Sequence, residues 1–166
     1  MRIAGVDPGT IQTGVCILED SGKQPALIFS HTIRTGRGEV MAARLETIYN
    51  KLKSVFAEWK PNVVALEGVF YQKDFTAAVK IGEARAIVML AARVNGISIV
   101  EYSPARVKQA IGGNGRASKD QIQYMVRHIL NFRDPLSADS SDAAAIALCH
   151  LHSQKFDRIR REVTHV

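Results

Sequence analysis

Four acidic side chains stand where an ordinary hydrophobic core would not place them. Asp7 closes a short apolar run and is followed at once by Pro8-Gly9-Thr10, while Glu67 closes a second such run, Val63-Val64-Ala65-Leu66. Asp139 and Asp142 lie three residues apart at the start of a helical pattern, so their side chains leave on neighbouring bearings, roughly 60° apart. Each acid alone has a plain structural reading. Asp7 could accept hydrogen bonds from the amides of its Pro-Gly turn, and Asp139 could cap its helix, whose dipole favours anions. Together they read differently. If the two runs are parallel neighbours, their terminal carboxylates sit side by side and repel unless cations offset them. No Cys or His cluster has zinc spacing, and hard oxygen donors point to Mg²⁺, with Mn²⁺ as a substitute. Two such ions about 3.5–4 Å apart are the recurrent apparatus of in-line phosphodiester displacement. The combination implies a metal-dependent nuclease.

The elements that must carry these acids can be read from pattern. Residues 2–6, 13–18 and 26–33 are strand-like and joined by turns, which predicts an antiparallel meander. Apolar residues from Met41 to Trp59 recur at helical spacing, predicting a helix over 39–59 that ends at Pro61-Asn62. Residues 63–67 read as a buried central strand. A loop with Phe70, Tyr71 and Lys73 precedes a helix from Asp74 to about Gly96 whose later part, Ala84 to Ala92, is apolar except for Arg85, so that it is apolar on more than one face. Such a helix must bury more than one face, so a subunit interface is as expected as a deep core. Residues 97–102 form the fifth strand. Ser103-Pro104 starts a short helix through Ala110, the stretch 112–116 reads as a mobile glycine-rich loop carrying Arg116, and Ser118 with Gln121 forms a capping box for the next helix. Asp134-Pro135 ends it. The last helix is expected over 138–153. Residues 1–155 are read as one domain and 156–166 as a basic, frayed tail.

Composition narrows the partners. With 22 Lys and Arg against 16 Asp and Glu, the 166-residue chain carries a net charge of +6. Gathering several acids into one site leaves the remaining surface more basic still, which suits nucleic acid. No apolar run is long enough for a membrane span and no signal core opens the chain, so a cytoplasmic location is expected. Cys16 and Cys149 are expected as reduced packing residues, and His150 and His152 as surface or packing residues.

The motifs Gly5-Val6-Asp7-Pro8-Gly9-Thr10, Ala65-Leu66-Glu67-Gly68-Val69-Phe70, Val107-Lys108-Gln109, Ser118-Lys119 and Ala138-Asp139-Ser140-Ser141-Asp142-Ala143 occur in the order and spacing of one family. The chain resembles the RuvC family of Holliday junction resolvases over essentially its whole length. That resemblance implies an α/β, ribonuclease H-like fold with a five-stranded mixed sheet, three antiparallel strands then two parallel, flanked by helices. It further implies a homodimer that nicks two strands of four-way junction DNA symmetrically and works beside RuvA and RuvB. Asp7, Glu67, Asp139 and Asp142 would be the catalytic metal-binding acids, serving two ions per site. Phe70 would engage bases near the crossover, with Tyr71 and Lys73 beside it, and Lys108 and Lys119 would lie near the scissile phosphate. Arg116 completes the candidate DNA contacts. Gly68, Tyr71-Gln72, Asp74 and Ser140-Ser141 depart from the family pattern and leave the acids untouched. The rival readings are another ribonuclease H-like nuclease acting on RNA hybrids or branched DNA, an actin or sugar-kinase type phosphotransferase suggested by Asp7-Pro8-Gly9-Thr10, and a non-catalytic junction-binding module.

Overall fold

The computed structural model describes residues 1–68, 75–132 and 136–164, with side chains described through residue 156. The elements in chain order are β1 (Arg2–Asp7), β2 (Gln12–Glu19), β3 (Ala26–Arg34), α1 (Met41–Trp59), β4 (Val63–Glu67), α2 (Phe75–Val94), β5 (Ser98–Tyr102), α3 (Pro104–Gly112), α4 (Lys119–Leu130) and α5 (Ala138–Thr164). They build one sheet in the order β3-β2-β1-β4-β5. β1, β2 and β3 pair antiparallel, and β4 pairs parallel with both β1 and β5. Short turns can only return a strand antiparallel, whereas α1 and α2 supply the long crossovers that parallel neighbours need. This is the ribonuclease H-like α/β arrangement expected from the sequence.

Strand alternation sorts the chain into two layers. Ala4, Val6, Val64 and Leu66 face α1 and α2 and are buried with Ile48, Leu52, Phe56 and Val88. Ile3, Val63 and Ala65 face the other way and are buried with Val107, Ile122, Val126 and the apolar side of α5. Each fully buried aliphatic side chain contributes about 1.5–3 kcal/mol. The next residue in each alternation is an acid: Asp7 and Glu67 continue the Ile3 and Ala65 faces, so both carboxylates emerge on the α5 side.

Helix ends follow local chemistry. Lys60 adopts a left-handed conformation (φ 46°) and its amide returns to the Phe56 carbonyl at 2.9 Å, closing α1 one residue before Pro61. Ser103 caps α3, with Pro104 in its first turn, and Ser118 with Gln121 forms the expected capping box of α4. α4 ends at Asn131 (φ 48°), ahead of Asp134-Pro135, which lie outside the described residues together with the expected helix start at Asp74. α5 corrects the sequence expectation. It runs on to Thr164, past the end expected at Ser153. The stretch beyond Ser153 contains neither Gly nor Pro and is rich in Gln, Lys, Arg and Glu, all good helix formers, so nothing in it stops the helix. Among the described residues no helix is long and apolar enough to cross a membrane.

Candidate active site

The four acids meet at one end of the sheet because four strands place their residues in a single row. Thr32 pairs with Gly14 and Gly14 with Asp7, while Val6 pairs with Leu66, so Asp7 and Glu67 follow as neighbours on parallel strands. The N-terminal turn of α5 lies over this row. Ser137 and Ser140 bond to Thr32 through their hydroxyls at 2.8 and 3.3 Å and to each other at 2.9 Å. The amide of Ser140 donates to Ser137 Oγ at 3.2 Å. Ser137 is therefore the cap of α5, which leaves the Asp139 carboxylate free of that duty. Two glycines allow the approach: a Cβ on Gly14 would strike the Asp139 carbonyl, and one on Gly5 would strike the Ala143 carbonyl and the Ala147 side chain. α5 thus rests its backbone against β1 and β2 at the height where Asp7 ends its strand.

The turn after Asp7 does not use its carboxylate. Thr13 Oγ1 accepts from the Gly9 amide at 3.4 Å and donates to the Gly9 carbonyl at 2.6 Å, closing the Pro8-Gly9 bend by itself. Among the described residues no hydrogen bond reaches the Asp7 side chain. Burial, then the charges of Asp142, Glu67 and Asp139, push its pKa up to about 7, opposed by Lys119. Glu67 is raised by burial and by Asp142, with Lys108 and Lys119 acting against the shift. A site that holds carboxylates above their ordinary range through burial and, after it, their neighbours' negative charge is short of positive charge.

Two lysines supply part of it. Lys119 Nζ lies 2.7 Å from Asp142 Oδ2, and that hydrogen bond is the main reason its own pKa is raised. Lys108 and Lys119 line a cleft of about 240 Å³ together with Asp7, Glu67 and Asp142, floored by Val107 and Ile146. Arg116 is exposed and is not among the residues lining this cleft. Phe70, Tyr71 and Lys73 lie outside the described residues. As the side chains stand, no three His, Cys, Asp or Glu among the described residues are arranged to hold a metal ion. The donor chemistry nonetheless fits a hard divalent cation: four carboxylates and no softer ligand, with Asp7 and Glu67 raised by burial and by neighbouring carboxylates.

Three contributors escaped the sequence reading: Gly5 and Gly14, which admit α5, and Ser137, which caps it. Glycine inside a strand was the available signal for a close backbone approach. His150, His152 and the two cysteines are packing residues, as expected. His150 is buried with Nδ1 2.8 Å from the Tyr102 hydroxyl, His152 Nδ1 lies 3.0 Å from the Ala110 carbonyl, and both cysteines are free and buried.

An antiparallel meander leading into parallel strands, with acids at two central strand ends and at the start of the last helix, defines a ribonuclease H-like nuclease. The family model for crossover junction endodeoxyribonuclease RuvC matches residues 3–150. The chain is 42% identical over 159 residues to crossover junction endodeoxyribonuclease RuvC of Pelotomaculum thermopropionicum, covering 95% of this chain and 97% of the relative. It is 44% identical over 151 residues to the Halorhodospira halophila protein of the same name, covering 91% and 90%. Among solved structures it matches Thermus thermophilus RuvC in complex with a Holliday junction substrate, with a TM-score of 0.89 and 31% identity over 95% of this chain and 96% of that one. The chain belongs to the RuvC family of crossover junction endodeoxyribonucleases. Membership removes the phosphotransferase reading.

Proposed function

We propose that this protein resolves Holliday junctions by nicking two strands symmetrically, with Asp7, Glu67, Asp139 and Asp142 as the ligands of divalent ions. The carrying observation is the meeting of all four acids over one row of the sheet, in a chain whose relative has been seen on a junction substrate. Mg²⁺, or Mn²⁺ in its place, would supply an activated water for attack on the phosphorus and charge neutralisation at the leaving oxygen. The chain's own residues do the rest. Pro8-Gly9 turns the backbone away from Asp7, leaving its carboxylate open at the strand end. Lys119, now held by Asp142, can pass to a phosphate oxygen once the acids carry other counter-charge, and Lys108 stands across the cleft to meet the same phosphodiester. Phe70, Tyr71 and Lys73 are assigned to bases and backbone near the crossover, and Arg116 to a flanking phosphate.

Symmetric cutting needs two sites on one rigid body. α2 offers the surface: Phe75, Val79, Leu90 and Val94 are 81%, 44%, 49% and 53% exposed and lie within one stripe of the helix, with Ala86 exposed between them. Against that stripe a second copy would bury apolar area that a monomer leaves in water. Action in the cytoplasm beside RuvA and RuvB belongs to this same reading.

The test compares a mobile four-way junction with linear duplex and with an RNA–DNA hybrid under Mg²⁺. Paired nicks confined to the junction support the proposal, and preferential cutting of the hybrid replaces it with another ribonuclease H-like activity. Asp7→Asn is expected to lower cleavage by at least about a hundredfold, since even the outer partners of metal ligands matter at that scale. Junction binding should survive, because phosphate contacts supply most of the affinity. Undiminished nicking by that variant would remove Asp7 from the chemistry.

A further inference from the structure

Arg85 is the one charged side chain in the apolar run from Ala84 to Ala92 of α2, and it is turned inward. Its side chain is 15% exposed, Nη2 lies 2.8 Å from Glu101 Oε2, and Nε donates to the main-chain carbonyl of Glu67 at 3.2 Å. Alternation explains why this bond matters. Glu101 pairs with Leu66 and faces α2, whereas Glu67 sends its carboxylate through the opposite face toward α5. Arg85 therefore grips, from behind the sheet, the peptide from which a catalytic acid projects. On the other side of that peptide, the amide of Gly68 donates to the Tyr102 carbonyl at 2.9 Å. β4 ends at Glu67, and among the described residues Arg85 is the side chain that donates to its last carbonyl.

We infer that Arg85, oriented by Glu101, is a positioning residue that fixes the direction of the Glu67 carboxylate and couples it to the seating of α2. The inference rests on the metal-dependent reading of the four acids. A short aliphatic or amide side chain at position 85 could not bridge strand end and strand neighbour together, whereas a guanidinium presents donors in a planar fork. Lysine can keep one of the two partners, so Arg85→Lys should retain part of the function and Arg85→Met none of the coupling.

The experiment measures Mn²⁺ binding to DNA-free protein by calorimetry, beside kcat and KM for junction cleavage and the thermal midpoint. Arg85→Met is expected to weaken ion binding and lower kcat by roughly ten- to a hundredfold, the range seen when partners of metal ligands are removed. KM for the junction should be unchanged, and Arg85→Lys should fall between the two proteins. A lowered thermal midpoint with wild-type ion affinity and kcat would make Arg85 a structural residue only and overturn the inference. If Arg85→Met does not fold, Glu101→Gln carries the test, with a smaller shift in the same direction expected and no shift overturning it. A wild-type protein that neither binds Mn²⁺ nor cleaves junctions would instead overturn the functional reading, and this inference with it.

Discussion

Asp7 concentrates the electrostatic tension of the site. Its folded pKa near 7 lies above the ordinary carboxylate value of 3.8, so the charged form is disfavoured in the native state. The linkage sign follows: the group binds more protons folded than unfolded, so its contribution favours folding at acid pH and is lost as pH rises toward about 7. The metal-free protein is thus expected to lose thermal stability between about pH 4 and pH 7 through this group, and Glu67 acts in the same direction. Added Mg²⁺ should raise the midpoint more at about pH 8 than at about pH 5, which a pair of melting series in chelator and in Mg²⁺ would check. An equal effect at both values would sever the ion from these acids. Asp7→Asn should raise metal-free stability at about pH 8, on the order of 1–2 kcal/mol, while destroying cleavage. Lys119 pairs with Asp142 in the absence of other counter-charge. Lys119→Met is expected to slow cleavage by roughly ten- to a hundredfold, as for loss of one preorganised charged donor, and single-turnover rates on a junction would show it.

The element that assembles the site is α5. Two of the four acids ride on it, and its approach depends on Gly14 and Gly5 having no side chain. Gly14→Ala would press a methyl group against the Asp139 carbonyl, directly opposite Asp7 in the sheet register. The expected outcome is a loss of stability of about 1–3 kcal/mol, typical of overpacking, together with a loss of cleavage in the folded protein because Asp139 is displaced. Chemical denaturation and kcat, measured on the same preparation, check both halves. Gly5→Ala meets helix backbone and Ala147 further along, so its effect should fall more on stability than on kcat. The hydroxyl cluster of Thr32, Ser137 and Ser140 fastens the same helix end to β3. Replacing Ser137 with Ala removes the cap and is expected to destabilise by about 1 kcal/mol.

At the scale of the whole molecule, the sheet separates two tasks. One face carries α3, α4 and α5 and the row of acids, and the other carries α1 and α2 with an apolar stripe left in solvent. Leu90 sits at the centre of that stripe and is half exposed. In the proposed dimer, Leu90→Glu in both copies would put like charges into a desolvated contact, so sedimentation should show a monomer for the variant and a dimer for the wild-type protein. The monomer is expected to keep its fold by circular dichroism and to lose paired symmetric nicking. An unshifted dimer would move the interface off α2. Setting aside the four acids of the site leaves 22 Lys and Arg against 12 other Asp and Glu, a surplus of +10 on the rest of the chain. Junction binding should accordingly weaken steeply with salt.

Much of this was legible in the chain. Strand alternation that ends in Asp7 and in Glu67 dictated that both carboxylates leave on one face, and the capping residues Ser103 and Ser118 marked helix starts that the fold uses as read. Short turns against long helical crossovers dictated which strands would be antiparallel and which parallel. These are consequences of local chemistry, and local chemistry is written residue by residue. What only the tertiary structure decided is contact between distant segments: that Gly14 stands beneath Asp139, that Ser137 rather than Asp139 caps α5, that Thr13 rather than Asp7 closes the first turn, and that Arg85 reaches the Glu67 carbonyl from behind the sheet. The end of α5 was misread for a related reason, since charge suggested fraying while helix propensity carried the backbone on to Thr164. A sequence states which side chains are able to bond, and only packing chooses among the partners that folding brings within reach.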